Sequence, residues 1–156
     1  MPAKNFAALI ESLSWRGAAP ARTCHLAVGD ARTVSLIMKG KKKVETRFSV
    51  VRQPPFGKVS PGDLIVFKKT AGPIVATAKA ARVMYFAGLT RSRIQRLRDQ
   101  FDDLVQAGDE FWGRKMNARY GTVIFLSDVE LVTPTRVDKR DRRAWVVWPT
   151  SHSASS

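Results

Sequence analysis

From Cys24 to Trp148 the chain runs in short apolar stretches, most alternating with polar residues and ended by Gly, Pro or Asp. That pattern constrains the fold more than any other feature. Cys24 to Val28 reads as a first strand, Val44 to Ser49 as a second and Leu64 to Lys68 as a third. Ile74 to Phe86 reads as one bent strand or two, its many alanines implying close packing against a neighbouring element. Tyr120 to Leu126 and Val129 to Val132 read as strands meeting at Ser127-Asp128, and Ala144 to Trp148 ends the sheet. Ser60-Pro-Gly-Asp63 and Ala71-Gly-Pro73 are turns by composition. Helices are set among the strands. One is capped at its start by Asp30 and stopped by Gly40, with Val34, Ile37 and Met38 on one face. Thr90 to Ala107 carries the stripe Ile94, Leu97, Phe101, Leu104 and Val105. Asp109 to Asn117 is a shorter helix with Phe111 and Trp112 inward. With no internal repeat, this order predicts an α+β fold built on a small β-barrel of about five to seven strands with flanking helices, not a doubly wound sheet.

A length of 156 residues suits one domain. Residues 1–22 read as an N-terminal extension, 23–149 as the folded domain and 150–156 as a disordered tail. The single cysteine, Cys24, rules out an intrachain disulfide, and His25 and His152 lie far apart. Neither a metal nor another cofactor is expected. No apolar run approaches the roughly 20 residues that span a bilayer, and no secretory signal opens the chain, so a cytoplasmic protein without membrane contact is expected.

Charge narrows the class of partner. There are 27 Lys and Arg against 13 Asp and Glu, a formal net charge of +14, and such a field attracts polyanions, with phosphate backbones foremost. The densest cluster is Gly40-Lys-Lys-Lys-Val-Glu-Thr-Arg47, where a helix end meets a strand. Helix C-termini favour cations, so this lysine run has a structural account as well as a functional one. On a strand, Glu45 and Arg47 share a face and Thr46 takes the other. If the shared face lines a cleft near Lys42, the pair can bind a base edge and a phosphate together. Arg52 and Lys58 flank the Pro54-Pro-Phe-Gly57 loop as a basic lip. Arg136 to Arg143 holds five basic and two acidic residues, read either as an internal network with Asp138 and Asp141 or as a phosphate-contacting rim that includes Arg140. Arg91, Arg93, Arg96 and Arg98 crowd the start of the long helix, and solvated side chains are the simpler account of them. Trp112, Trp145 and Trp148 are expected to pack, with Trp112 and Phe56 as candidate stacking platforms. His25 is expected to be a hydrogen-bonded structural histidine and Cys24 a small buried hydrophobe.

The order and context of these pieces resemble the ASCH domain, a branch of the PUA-like barrels. The resemblance rests on Gly40-Lys-Lys42 with Glu45 and Arg47, on Pro54 to Asp63, on Phe111-Trp112 to Arg119-Tyr120, and on Lys139 to Val147. It implies a barrel whose cleft carries the lysine and glutamate motif and takes RNA or a modified nucleoside. Members are described as RNA-binding modules, as ribonucleases and as amidohydrolases acting on acylated cytidine. The amidohydrolase pattern has a threonine three positions after the lysine matched by Lys42, where this chain has Glu45. The leading expectation is RNA or nucleoside binding through Lys41, Lys42, Lys43, Glu45, Arg47, Arg52, Lys58 and Arg140. The alternative is a metal-independent enzyme on RNA or modified nucleosides, with Glu45 as base and Lys42 as electrostatic stabiliser. A third reading is an adaptor whose basic surface meets an acidic protein.

Overall fold

The computed structural model describes residues 23–137 and 142–149. The extension 1–22, the tail 150–156 and residues Asp138, Lys139, Arg140 and Asp141 lie outside the described residues. Strands β1 (Thr23–Gly29), β2 (Val44–Ser49), β3 (Leu64–Lys69), β4 (Ile74–Ala87), β5 (Tyr120–Thr135) and β6 (Trp145–Pro149) are joined by helix α1 (Ala31–Met38) between β1 and β2, and by α2 (Arg91–Val105) and α3 (Asp109–Lys115) between β4 and β5. The strands make one six-stranded sheet in the order β2-β5-β4-β3-β1-β6. β1 and β3 pair in parallel and every other pair is antiparallel. The sheet curls into a half-barrel with β2 and β6 as its free ends, an α+β architecture of the expected kind.

Alternation decides which side chains go where. Ala27, Ile65, Phe67, Ile124 and Trp145 fill the concave interior, and α1 enters it with Val34 and Ile37. Ala76, Ala78 and Ala80 of β4 face the same space, their small side chains leaving room for the helix. Helix α1 begins where Asp30 accepts the Thr33 amide at 2.7 Å, and stops at Gly40, whose φ of +74° a side chain would strain. A second core lies on the convex side, where Val44, Phe48 and Val123 pack against Ile94, Leu97, Phe101 and Trp112 of α2 and α3. Cys24, Leu26 and Val66 turn the other way from their strand neighbours, into a third cluster.

The segment read as two strands meeting at Ser127-Asp128 is one strand, β5. Thr77 opposes Glu130 and Lys79 opposes Ser127, so β5 has one residue more than β4 across that step. A bulge, with Asp128 at φ +51°, absorbs the turn-like residues and bends the strand without ending it. None of the described helices is long and apolar enough to cross a membrane.

Candidate functional site

Past Gly40 the chain doubles back on α1, with the Lys41 and Lys42 amides both donating to the Leu36 carbonyl at 3.0 Å. This reversal carries the lysine run to the C-terminal end of α2. Lys43 donates its amide to Leu104 at 2.8 Å, and the Lys42 ammonium donates to the Val105 carbonyl at 2.7 Å. A helix's last carbonyls lack intrahelical donors and carry partial negative charge, so a buried ammonium is well placed there. Burial still holds Lys42 below the ordinary lysine range, against the opposing pull of Glu45. Lys42 is 5% exposed, while Lys41 and Lys43 on either side of it are exposed.

Glu45 is 4% exposed and is enclosed by donors. Its Oε1 accepts the Thr46 amide at 3.0 Å and lies 3.8 Å from Lys42 Nζ, and its Oε2 lies 3.7 Å from Arg47 Nη2. Arg47 reaches across the gap between β2 and the far end of the sheet. Its Nη2 donates to the Val28 carbonyl at 3.1 Å and its Nη1 to the Ala144 carbonyl at 3.5 Å, while its guanidinium lies 5.2 Å from the Trp145 ring centroid. Trp145 is fixed from behind. Its indole N–H donates to His25 Nδ1 at 3.0 Å, and His25 Nε2 lies 2.9 Å from Asp63 Oδ2, which also accepts the Ser60 amide at 2.9 Å. An indole can only donate, so Nδ1 must accept and the imidazole proton sits on Nε2. His25 is a hydrogen-bonded structural histidine, as its position on an early strand led us to expect.

Glu45, Arg47 and Trp145 border a cavity of about 490 Å³ between β2 and the ends of β1 and β6, a volume within the range of small-molecule sites. Val28, Gly29, Asp30 and Thr33 form one wall and the run Glu45 to Ser49 another. Gln53, Pro54 and Pro55 come from the loop after β2, Phe111 and Lys115 from α3, and Arg143, Ala144 and Trp145 from the approach to β6. Burial holds Lys115 below the usual lysine range, with Arg114 and Arg47 adding to it, and its ammonium lies 5.6 Å from the Phe111 ring centroid.

Of the residues singled out in the sequence, Glu45 and Arg47 are brought together in the cavity wall. Lys42 supports Glu45 without lining the cavity. Lys41, Lys43, Arg52 and Lys58 are exposed outside the lining, and Arg140 lies outside the described residues. Phe56 packs edge-on against Tyr85 and Tyr120 with Arg52 over its ring, and Trp112 is fully buried with its indole donating to Asp102 at 2.8 Å. Trp112 therefore presents no open face, and Phe56 is half-buried. Cys24 is 1% exposed, its thiol pushed up to about 11 by burial and by Asp63. Phe111 and Lys115 were not singled out as site residues, although their spacing of four on a short helix gave the signal that they share a face. Among the described residues no cluster of His, Cys, Asp and Glu could hold a metal ion.

Solved structures supply the comparison. The crystal structure of ASCH from Zymomonas mobilis aligns with a TM-score of 0.66 at 12% identity, over 84% of this chain and 90% of its own. A mutant form of the same protein aligns with a TM-score of 0.66 at 14% identity, over 85% and 92%. No protein-family model matches the sequence, and no curated protein matches it. Identity this low speaks to architecture and not to chemistry. The half-barrel with its three helices is therefore an ASCH-like, PUA-like fold.

Proposed function

We propose that this protein binds RNA, taking one nucleotide unit into the cavity beside β2 while the surrounding cations hold the adjoining phosphates. The observation that carries this reading is the buried Glu45 carboxylate in the wall of a nucleotide-sized cavity that Lys115 and Arg143 also line. A carboxylate can accept from a base edge, and cations at the rim suit phosphate. Arg47 and Lys42 hold Glu45 in place. Lys41, Lys43, Arg52, Lys58 and Arg140 contribute to the field that draws the polyanion in, consistent with the net charge of +14.

The catalytic alternative asks Lys42 to stabilise charge on a reacting group. Its ammonium is instead committed to the Val105 carbonyl at 2.7 Å, which favours a supporting role and a site that binds. The test is fluorescence anisotropy of a labelled single-stranded RNA over a range of salt concentrations. Affinity should fall linearly on a log–log plot as salt rises, and Lys115→Ala and Arg143→Ala should each weaken binding and reduce the slope by about one. Affinity that ignores both salt and these substitutions would remove the reading. Conversion of the RNA in chelator, abolished by Glu45→Gln, would restore the enzyme.

A further inference from the structure

Five consecutive residues, Glu45 to Ser49, border the cavity. A strand's side chains alternate between faces, so five in a row line one space only when the strand meets it edge-on. Hydrogen bonding gives the parity of that edge. Leu126 donates its amide to the Lys43 carbonyl at 2.9 Å, and the register continues through Glu45 opposite Ile124 and Arg47 opposite Thr122. Odd-numbered residues therefore exchange bonds with β5, while Val44, Thr46 and Phe48 turn their peptide groups to the free edge. The Thr46 amide bears this out, since it bonds to the Glu45 carboxylate and not to β5. β2 ends the sheet, so no further strand among the described residues covers this edge, and no hydrogen bond among them outside the ladder engages the Thr46 carbonyl or the Phe48 amide.

The edge thus presents three polar groups in order along the strand: the Glu45 carboxylate, which accepts, the Thr46 carbonyl, which accepts, and the Phe48 amide, which donates. The carbonyl of one residue and the amide two residues on, in an extended strand, form an acceptor and donor pair that a planar heterocycle can meet with two parallel bonds. Peptide groups away from water are costly when unpaired, so a ligand that satisfies them is selected over one that does not.

Building on the RNA-binding reading above, we infer that this edge selects guanine. The Thr46 carbonyl accepts from N1–H, the Phe48 amide donates to O6, and the Glu45 carboxylate accepts from the 2-amino group. Guanine alone among the four bases offers donor, donor and acceptor in that order. Adenine lacks the second donor, cytosine has one donor and two acceptors, and uracil has a donor between two acceptors. An extended peptide could also pair with a free strand edge. The +14 charge and the Lys115 ammonium at the same cavity favour a ligand that carries phosphate.

The test is a titration of the full-length, nitrogen-15-labelled chain with GMP, IMP, AMP, CMP and UMP, following affinity and the Phe48 amide resonance together. GMP should bind tightest and move that resonance. IMP, which lacks only the 2-amino group, should bind roughly tenfold more weakly. Equal affinity for all five nucleotides, or a stationary Phe48 amide at saturation with GMP, overturns the assignment. Movement of the Phe48 amide by an extended peptide and by no nucleotide overturns it as well. If RNA binds and guanine-free RNA binds equally well, RNA binding stands and only the guanine assignment falls. If neither RNA nor any nucleotide binds, both readings fall.

Discussion

Two buried ionisable residues near the half-barrel are held away from their ordinary titration by the packing around them, and each has a measurable consequence. Cys24 has its thiol raised from 9.0 to about 11 by burial and then by Asp63. The folded chain keeps a proton that the unfolded chain releases between those values. The thiol's contribution to stability is therefore complete below 9.0 and lost as pH rises through about 11. Urea unfolding of the native chain beside Cys24→Ala should show the native chain losing stability relative to the variant across that window. A thiol reagent should react at neutral pH only as the protein unfolds, and rapid reaction of the folded chain would contradict this placement. Lys42 is the second case. Removing its ammonium leaves Glu45 buried without that partner and the Val105 carbonyl unpaired. Lys42→Met should cost about 3–5 kcal/mol in urea denaturation. Adding Glu45→Gln to Lys42→Met should recover part of that loss, because the orphaned carboxylate charge is gone. Strict additivity of the two substitutions would mean that they are not coupled.

At the scale of elements, the packing of β2 and β5 against the long helix depends on one small residue. Gly121 of β5 stands opposite Phe48, and a Cβ built there would lie 2.7 Å from the Phe48 ring and 3.1 Å from Leu89. Both neighbours are buried in the convex core, so neither can move aside freely. Gly121→Ala should destabilise the fold by about 1–3 kcal/mol, read from the urea midpoint at unchanged slope. A neutral result would mean that the core yields where its packing indicates it cannot. The sequence showed strands and helices clearly because each has its own hydrophobic period. It did not show bulges. Ser127-Asp128 looks like a turn by composition, and only the ladder reveals that β5 runs through it. The same limit applies to β4, where the register shift between Ala80 and Arg82 changes which residues face inward. Ala76, Ala78 and Ala80 line the concave core, whereas beyond the shift Val83 packs there and Met84 and Phe86 pack outside. A continuous period of two would have placed these residues on the wrong faces.

At the scale of the whole molecule, the two free ends of the sheet approach each other with no ladder between them among the described residues, and Arg47 bridges them. The sequence revealed half of this arrangement. Period two put Glu45 and Arg47 on one face, and they do pair, but the Val28 and Ala144 carbonyls that hold Arg47 come from far along the chain and have no sequence signature. The rest of the cavity was hidden for the same reason, since α3, the loop at Gln53 and the approach to β6 meet only in the folded chain. Because Arg47 joins β2 to β1 and to the residue preceding β6, its loss should act on those elements and spare the others. Arg47→Met keeps the apolar stem over Trp145 and removes the donors. Hydrogen–deuterium exchange should then quicken in β6 and at the Val28 amide, which bonds to the Ala144 carbonyl at 2.8 Å, with amides of α2 unchanged. Local opening releases amides near the lost contact while the global unfolding free energy governs the deepest ones, so the two effects separate in one experiment. Uniform quickening in every element would place Arg47 among residues that stabilise the domain as a whole. Confinement to β1 and β6 would identify it as the bridge that keeps the cavity's two walls together.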